Sequence, residues 1–420
     1  MGFDQSESGV MSEQNKSKSV LFISALDFWS MGEGKGGPAL YKTLIGYAER
    51  GWKVYFITGN RPQGVSDNLH KNIHVICFDA PLLKRLIQIR KIGFFARILW
   101  WIYFQITSFI EAQKLHFKEK IDVVYGYEIY GVPVAKLLSK LWGVPVVARF
   151  QGTILGYWMK QRLWKLRAWE HVLGLQMPVD LVIMTNDGTQ GDQVLKSLGV
   201  NMERVRFWMN GVDWELFRSL PEKTEARNYL QIDAQRVLLT VSRLVGWKRV
   251  ERAIQALPEI VRSFPNTILL VVGDGPERKK LERLAKDLGV QDHVRFEGAV
   301  PHKEIPKYLA AADIFLSFYD YSNVGNPLLE AMMAGKCIVT LNNGDTGRFI
   351  RNGENGILLE YKDLPKLPKV IKELLANEDL RNRLGANARK FAEEHFWSWQ
   401  ERMEAEVREV SALVERRRNL

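Results

Sequence analysis

The stretch Ser19–Leu26, SVLFISAL, and the glycine-rich run that follows it decide the fold class of this chain. An unbroken apolar run of this length predicts a strand that is buried on both faces. It enters a loop, Gly32-Glu-Gly-Lys-Gly-Gly-Pro38, and a helix is predicted over residues 39–50, ending at Gly51. A strand, a glycine-rich loop and a helix in this order predict an α/β fold with parallel strands.

The same alternation of strand and helix runs through the rest of the chain. Further strands are predicted at Lys53–Thr58, Ile73–Phe78, Ile121–Tyr125, Val144–Phe150, Leu181–Thr185, Val237–Val241, Ile268–Val272, Val294–Phe296, Ile314–Ser317 and Ile338–Leu341. A polar stretch over 214–233 divides them into two series. Because open α/β sheets bind ligands at the carboxyl ends of their strands, we predict two Rossmann-like, doubly wound domains that face a central cleft.

The predicted domain boundaries follow from these breaks. We expect a flexible tail over 1–18, an amino domain over 19–213, a linker over 214–235 and a carboxyl domain over 236–394. The tail is polar and lacks an apolar stretch, so no secretory signal is expected. The last segment, 395–420, is a charged helix and a candidate to pack back on the amino domain.

Composition and charge narrow the function classes. The 420 residues are 46% hydrophobic, which is typical of a globular chain, and the two cysteines favour a reducing compartment. Lys and Arg exceed Asp and Glu by 59 to 48, a net charge of +11. Such a charge suits nucleic acid, an anionic membrane surface or a phosphate-rich ligand. No nucleic-acid-binding motif is present, so we expect no nucleic-acid partner.

Three strand ends in the carboxyl half carry unusual residues. The first, Val241-Ser-Arg-Leu-Val-Gly-Trp-Lys248, places Arg243 and Lys248 where both can reach a diphosphate. The second, Val272-Gly-Asp-Gly-Pro276, is a tight turn whose glycines allow close approach of a ligand. Either motif alone also fits an ordinary solvated loop.

The third strand end, Asp320–Glu330, is a small polar loop that leads into a helix starting near Pro327. Free N–H groups at a helix start, together with the helix dipole, form an anion site. Glu330 lies in the first turn and can accept hydrogen bonds from sugar hydroxyls, although a surface Glu that complements the helix dipole would look the same.

Together these motifs resemble the carboxyl domain of the family-four retaining glycosyltransferases, which have the GT-B fold. The order Gly273-Asp-Gly-Pro, Val294–Val300, Ala311–Leu316 and Glu330-Ala-Met with Gly335 follows that family, and Gly36-Gly37 and Asn210–Asp213 match more loosely. The resemblance implies that Arg243 and Lys248 bind the diphosphate and that Glu330 holds the ribose hydroxyls. The donor-binding positions it implies are Gly36, Gly37, Gly273, Val300, Asp320, Ser322, Asn323, Val324, Gly325, Asn326, Leu328, Leu329 and Glu330.

Two positions depart from the family pattern. The first acidic residue of its Glu pair would fall at Ser322, so contact with the donor sugar passes to Asn323 or Asp320. A His common in the family falls at Gln151, a carboxamide that can form hydrogen bonds but cannot act as a general base. We include Gln151 among the catalytic candidates with Arg243, Lys248 and Glu330.

The amino half adds two basic, aromatic segments. Residues 82–110 contain Arg85, Arg90, Lys91 and Arg97 with Trp100 and Trp101. The segment either only covers the sheet or also presents an edge to an anionic membrane surface. A second cluster, 157–167, suits either a membrane or a saccharide acceptor, because aromatic faces also stack on sugars.

The resemblance, together with these residues, implies a retaining glycosyltransferase that moves a sugar from a nucleotide-diphosphate sugar to a hydroxyl acceptor, either a saccharide or a lipid-linked glycan. The amino domain would bind the acceptor and the carboxyl domain the donor. We expect no cofactor and no metal, since no Asp, His or Cys cluster has metal-ligand spacing. We expect a cytoplasmic protein, either free or peripheral on the membrane. A catalytically silent nucleotide-sugar-binding protein and a nucleotide-sugar epimerase are the alternatives.

Overall fold

The structure is a computed structural model that describes residues 17–26, 38–59, 70–87, 89 and 93–419. The predicted tail, apart from residues 17 and 18, lies outside these residues. So do Gly36 and Gly37 of the glycine-rich loop, and Arg90 and Lys91.

The first sheet has seven strands in the order β3-β2-β1-β4-β5-β6-β7, and all neighbouring strands are parallel. Its strands are β1 (Ser19–Ser24), β2 (Lys53–Thr58), β3 (Ile73–Cys77), β4 (Val123–Tyr127), β5 (Val146–Phe150), β6 (Leu181–Thr185) and β7 (Val205–Trp208). Its helices are α1 (Pro38–Glu49), α2 (Pro81–Ile87), α3 (Gly93–His116), α4 (Glu128–Trp142), α5 (Leu155–Trp158), α6 (Trp164–Arg167), α7 (Trp169–Gln176) and α8 (Gly191–Ser197).

The second sheet has six parallel strands in the order β10-β9-β8-β11-β12-β13. They are β8 (Arg236–Val241), β9 (Thr267–Val272), β10 (Val294–Gly298), β11 (Ile314–Ser317), β12 (Cys337–Leu341) and β13 (Ile357–Leu359). The helices after the first sheet are α9 (Trp214–Arg218), α10 (Lys223–Tyr229), α11 (Glu251–Ser263), α12 (Arg278–Asp287), α13 (Ile305–Ala311), α14 (Asn326–Met333), α15 (Thr346–Phe349), α16 (Leu367–Ala376), α17 (Glu378–His395) and α18 (Trp399–Arg418).

Each sheet is covered by helices on both faces, which confirms the predicted two-domain α/β fold class. Two apolar clusters flank the first sheet and two flank the second. Strands β7 and β13 were not predicted from the sequence, because both are short and β7 carries Arg206 and half-buried side chains.

The predicted linker is not an extended connection. Residues 214–235 form α9 and α10, and their Phe217 and Ala226 side chains are buried in a core cluster of the second sheet. The polar composition that predicted a linker therefore belongs to the solvent face of two short helices.

The last helix, α18, returns to the first sheet. Its Met403, Val407, Val410 and Val414 pack in the cluster that also contains Leu44 of α1. A buried ionic network joins it to β5, since Glu406 accepts hydrogen bonds from Arg149 at 3.0 Å and from Tyr125 at 2.6 Å. Arg402 contacts the same carboxylate at 2.9 Å. The last helix therefore packs on the first sheet.

Candidate active site

The predicted diphosphate residues lie where the strand order of the second sheet reverses. Strands β8 and β11 are neighbours, and the chain leaves β8 toward β9 on one side and β11 toward β12 on the other. A reversal of this kind opens a crevice at the carboxyl ends of the strands. Arg243 and Lys248 follow β8, and the loop 318–325 follows β11. The two cations and this loop therefore lie at the same crevice.

Lys248 is held by aromatic faces and not by an acid. Its Nζ lies 3.6 Å from the ring centroid of Tyr319 and 4.2 Å from that of Trp247. No carboxylate among the described residues lies within ion-pair distance of it. Burial and repulsion from Arg243 lower the pKa of Lys248 to about 7, while the attraction of Asp187 opposes the shift. An anionic ligand beside this ammonium would supply the charge that it lacks.

The start of α14 offers two backbone donors. Leu328 and Leu329 donate their N–H groups to the Gly325 carbonyl at 3.0 and 3.2 Å, and Val324 donates to Ser322 Oγ at 3.0 Å. The N–H groups of Gly325 and Asn326 have no acceptor among the described residues. Because the Leu328 and Leu329 N–H groups are bonded to the Gly325 carbonyl, only the Gly325 and Asn326 N–H groups of the predicted loop donors remain for a ligand.

Glu330 belongs to a chain of charges that crosses between the domains. His302 Nε2 lies 2.8 Å from Glu330 Oε1, and Asp213 Oδ2 lies 3.9 Å from His302 Nδ1. Lys42 of α1 pairs with the same Asp213 at 2.7 Å. The hydrogen bond to Glu330 raises the pKa of His302, and the neighbouring charge of Asp213 adds to the shift. His302 therefore positions the carboxylate that was predicted to hold the ribose.

Asn323 and Asp320 both make contacts within their own domain. The Asn323 side chain is buried and already bonded, since it accepts from Ser317 Oγ and the Tyr319 N–H and donates to Leu341 O and Asn343 Oδ1. Asp320 pairs with Arg249 and with Arg252, the latter at 2.7 Å. Both residues shape the loop. Asn323 has no free polar group for the sugar, so its predicted contact is wrong, whereas a contact of the partly exposed Asp320 with the sugar stays a prediction.

Ser322 faces the other domain. Its Oγ donates to the Asp187 carbonyl at 2.8 Å. A Cβ on Gly188 would lie 2.1 Å from Ser322 Oγ. Asp345 donates its N–H to the Gly188 carbonyl at 2.8 Å. The loop after β6 is thus joined directly to the loops after β11 and β12, and this interdomain seam forms one wall of the crevice.

Two carboxylates that the sequence analysis missed lie on the amino side of the crevice. Glu128 follows β4 with φ of 64°, a left-handed conformation that is unusual for this residue, and Asp187 follows β6. Burial raises the pKa of Glu128 to about 7, and the charge of Asp187 adds to that shift. Burial also raises the pKa of Asp187 to about 6. Perturbed acids in a cleft are typical of functional sites.

Gln151 is anchored between these groups. Its N–H donates to Glu128 Oε1 at 2.7 Å, its Nε2 to the Tyr127 hydroxyl at 2.6 Å, and its Oε1 accepts from Asn210 at 3.0 Å. Both ends of the carboxamide are occupied within the amino domain. A role for Gln151 beyond holding Glu128 in place stays a prediction.

Gly273 and Val300 complete the predicted set. Gly273 has φ of 129°, and a Cβ there would lie 1.9 Å from the Ser242 carbonyl, so this position requires glycine for the loops after β8 and β9 to meet. Val300 is half-buried against the second-sheet core. No three His, Cys, Asp or Glu side chains in the part of the chain that the structure describes could together hold a metal ion.

The sequence profile of the glycosyl transferases group 1 family matches residues 222–391. Most of the carboxyl domain is therefore similar to the domain that defines this family. Every carboxyl-half residue of the candidate site lies inside the matched range, which confirms the resemblance stated from the sequence.

Curated relatives match over part of their length. Over 200 residues, 46% of this chain and 52% of the relative, the chain is 31% identical to a GDP-mannose-dependent alpha-(1-6)-phosphatidylinositol monomannoside mannosyltransferase of Mycolicibacterium smegmatis. Over 148 residues, 35% of this chain and 42% of the relative, it is 33% identical to the lipopolysaccharide core biosynthesis glycosyltransferase LpsE of Rhizobium meliloti. The chain thus spans about half the length of the curated relatives it matches.

Solved structures show the same fold over nearly the whole chain. HepE of Anabaena, solved with UDP and glucose, superposes with a TM-score of 0.71 at 20% identity, covering 94% of this chain and 99% of its own. WaaG, a glycosyltransferase involved in lipopolysaccharide biosynthesis, superposes with a TM-score of 0.70 at 22% identity, covering 91% and 98%. The two-sheet architecture is therefore GT-B.

Helix α3 has two different apolar faces. One face is buried against the sheet at a spacing of four residues and consists of Ala96, Trp100, Phe104, Ser108 and Ala112. The other is exposed and consists of Phe95, Leu99, Ile102, Ile106 and Ile110, which we call the α3 outer face. By length and composition alone, α3 is long and apolar enough to cross a membrane, and it is the one such helix among the described residues.

The exposed patch is not the one predicted from the sequence. Trp100 is buried with Lys84 above its ring, Trp101 packs edge-on against Trp169, and Arg97 pairs with Glu170 at 2.9 Å. Of the basic and aromatic residues predicted to meet a membrane, Trp100, Trp101 and Arg97 therefore make contacts within the protein, Arg85 is exposed, and Arg90 and Lys91 lie outside the described residues. Aliphatic side chains and Phe95 form the outer face instead.

Proposed function

We propose that this protein is a glycosyltransferase that moves a sugar from a nucleotide-diphosphate sugar to a hydroxyl of an acceptor, with retention of the anomeric configuration. The observation that carries the proposal is the pairing of Arg243 and Lys248 with the α14 start in one crevice, inside the range that matches the glycosyl transferases group 1 family. These groups suit the diphosphate, whose negative charge increases as it leaves the sugar. Glu330, positioned by His302, suits the ribose hydroxyls.

In the reaction we propose, the bond between the anomeric carbon and the phosphate oxygen breaks while the acceptor oxygen bonds the same carbon from the same face. The acceptor proton passes to the departing phosphate oxygen. Lys248 and Arg243 stabilise that oxygen by charge, and the Gly325 and Asn326 N–H groups donate to the phosphates. No side chain of the enzyme needs to form a covalent bond in this scheme.

A ligand-stability screen with UDP-, GDP-, ADP- and dTDP-sugars tests the donor. Binding of the correct donor raises the melting temperature by mass action, and about 100 times its Kd contributes about 2.7 kcal/mol. Release of nucleoside diphosphate from the bound donor then separates a transferase from a silent binding protein. Appearance of a sugar isomer without an acceptor would identify an epimerase. A chain that binds none of these donors would contradict the proposal.

We further propose that the acceptor is lipid-linked and that the α3 outer face docks on an anionic bilayer. The relatives named for phosphatidylinositol mannoside and lipopolysaccharide synthesis support this acceptor class. The face exposes 67% of Phe95 and 56% of Ile106. Exposed cations lie beside it on α2, α3 and the neighbouring α6, namely Arg85, Lys114, Lys165 and Arg167. An apolar stripe flanked by cations suits an anionic surface.

Vesicle sedimentation tests the docking. Wild-type protein should sediment with vesicles containing anionic lipid and be released in high salt, since each cation near such a surface contributes about 1 kcal/mol. A Phe95→Ser and Ile106→Ser double variant should lose sedimentation and keep donor binding. Leu288→Ser, directly after α12 of the other domain, is the matched control and should sediment normally. Wild-type protein that remains in the supernatant at low salt would contradict membrane docking.

A further inference from the structure

Asp187 and Lys248 come from loops that both contact the segment after β11, since Ser322 donates to the Asp187 carbonyl at 2.8 Å and Lys248 Nζ lies 3.6 Å from the ring centroid of Tyr319. Their charges shift one another's pKa, yet the two groups are not within ion-pair distance. Asp187 comes from the loop after β6 of the amino domain, and Lys248 from the loop after β8 of the carboxyl domain. A carboxylate and an ammonium separated by a gap can hold two parts of one ligand, hydroxyls on one side and a phosphate on the other.

One carboxylate oxygen of Asp187 is fixed within its own loop. Oδ1 accepts from Thr189 Oγ1 at 2.6 Å and from the Thr189 N–H at 3.1 Å. The carboxylate lies directly over Gly152, where a Cβ would be 2.0 Å from Oδ2. Gly152 has φ of 97°, so the backbone there is in a conformation that suits glycine. The loop holds the group in one orientation, and Oδ2 has no hydrogen-bond donor among the described residues.

The seam leaves no room for a longer acidic side chain at position 322. Ser322 is buried, bonded to the Asp187 carbonyl and in contact with the Cα of Gly188 in place of a side chain. A Glu at 322 would require the space that Gly188 fills. The same contact fixes the Asp187 backbone against the loop that would have carried the acid.

We propose that the Asp187 carboxylate accepts hydrogen bonds from hydroxyls of the transferred sugar and so supplies, from the amino domain, the acid that position 322 lacks. This inference rests on the proposed function, because it assumes that a nucleotide sugar occupies the crevice. Its consequence is that the donor sugar is held by both domains, the diphosphate by Lys248 and the sugar by Asp187. The pKa of Asp187 near 6 keeps the carboxylate ionised at neutral pH.

The Asp187→Asn variant tests this role, because an amide keeps the oxygen that Thr189 binds and removes the charge. Affinity for UDP or GDP alone should stay within threefold or become tighter, since a negative charge near the diphosphate is lost. The turnover of the corresponding nucleotide sugar should fall by about 10–100-fold, the effect of losing a hydrogen bond to a charged group. A loss of turnover without a loss of nucleotide affinity would indicate that Asp187 contacts the sugar.

Asp345→Asn is the matched control, because Asp345 belongs to the same seam through its backbone N–H, which the substitution keeps. It should keep turnover within threefold, whereas a loosened seam would lower both turnover and nucleotide affinity in both variants. A second comparison uses donors lacking single sugar hydroxyls. With the donor that lacks the hydroxyl bound by Asp187, wild-type protein and Asp187→Asn should have the same turnover.

The outcomes separate the two proposals. If wild-type protein binds no nucleotide sugar, the proposed function itself fails, and the role of Asp187 fails with it. If wild-type protein turns over a donor and Asp187→Asn matches it, only the role of Asp187 is overturned. Parallel losses in Asp187→Asn and Asp345→Asn would assign Asp187 to the seam and also overturn its contact with the sugar.

Discussion

The lowered pKa of Lys248 makes donor binding depend on pH. With a pKa of about 7, half of Lys248 is uncharged at pH 7 and nearly all of it at pH 8.5. A bound diphosphate favours the ammonium form, so binding takes up a proton wherever the free protein has lost it. Because Lys248 must be protonated for binding, the affinity should fall between pH 7 and pH 8.5. The fall should be about 16-fold if the pKa of Lys248 in the free protein is about 7, and about 4-fold if it is about 8.

Isothermal titration with the nucleotide sugar that the protein binds measures both the affinity and the proton uptake. Repeating the titration at pH 8 in buffers of different ionisation enthalpy gives the number of protons taken up, which should be about 0.5 to 0.9 over the same range of pKa. The pKa of Asp187 near 6 lies below this range, so that carboxylate adds little to the slope.

The matched variant is Lys248→Arg, because a guanidinium remains protonated at every pH used. Its affinity should be nearly constant between pH 7 and pH 8.5, with no proton uptake. Equal slopes for wild type and Lys248→Arg would refute the reasoning, since the titrating group would then lie elsewhere.

Three further predictions concern stability. Glu406→Gln should lower the free energy of unfolding by about 3–5 kcal/mol, because it leaves two buried guanidinium groups without their anion, whereas Glu409→Gln at a half-exposed pair should cost less than about 1 kcal/mol. Asn323→Ala should cost about 2–4 kcal/mol, more than Ser322→Ala, because it leaves buried partners unsatisfied. The raised pKa of His302 means that its stabilisation is complete below about pH 6.5 and is lost as pH rises through the folded-state pKa, so His302→Gln should cost more stability at pH 5.5 than at pH 8.5.

Urea unfolding followed by circular dichroism checks all three. If Glu406→Gln and Glu409→Gln lowered the free energy of unfolding equally, burial would not determine how much each ion pair stabilises the protein. A fully stable Asn323→Ala protein would mean that the loop after β11 does not depend on that side chain. A cost of His302→Gln that is the same at both pH values would exclude the charged form from its contact with Glu330.

The sheets could be predicted because strands buried on both faces leave a continuous apolar run in the sequence. Leu181–Thr185 and Ile314–Ser317 agree with their predicted bounds for this reason. Strand β7 escaped notice because its VRFW sequence lacks such a run, and α9 and α10 because their solvent faces carry most of their residues. Elements that are buried on both faces can be recognised in the sequence, whereas these largely exposed elements could not.

The candidate site divides in the same way. Arg243, Lys248 and Glu330 could be placed from motifs that lie within one domain. Asp187 could not, because its role depends on which strands are neighbours and on how the two domains meet. Asn323 was misassigned because its amide suits a sugar hydroxyl and a loop carbonyl equally well, and only the fold shows that its partners are the loop itself.

The most direct test of the account is the release of nucleoside diphosphate from a panel of nucleotide sugars by wild-type protein, Arg243→Ala and Lys248→Ala. The account predicts release from one donor class by the wild type. It predicts a loss of about 10²–10³ in turnover for each variant, as for removal of a preorganised oxyanion donor. Both variants should unfold at the wild-type urea concentration. Full turnover by either variant, or no release from any donor by the wild type, would contradict it.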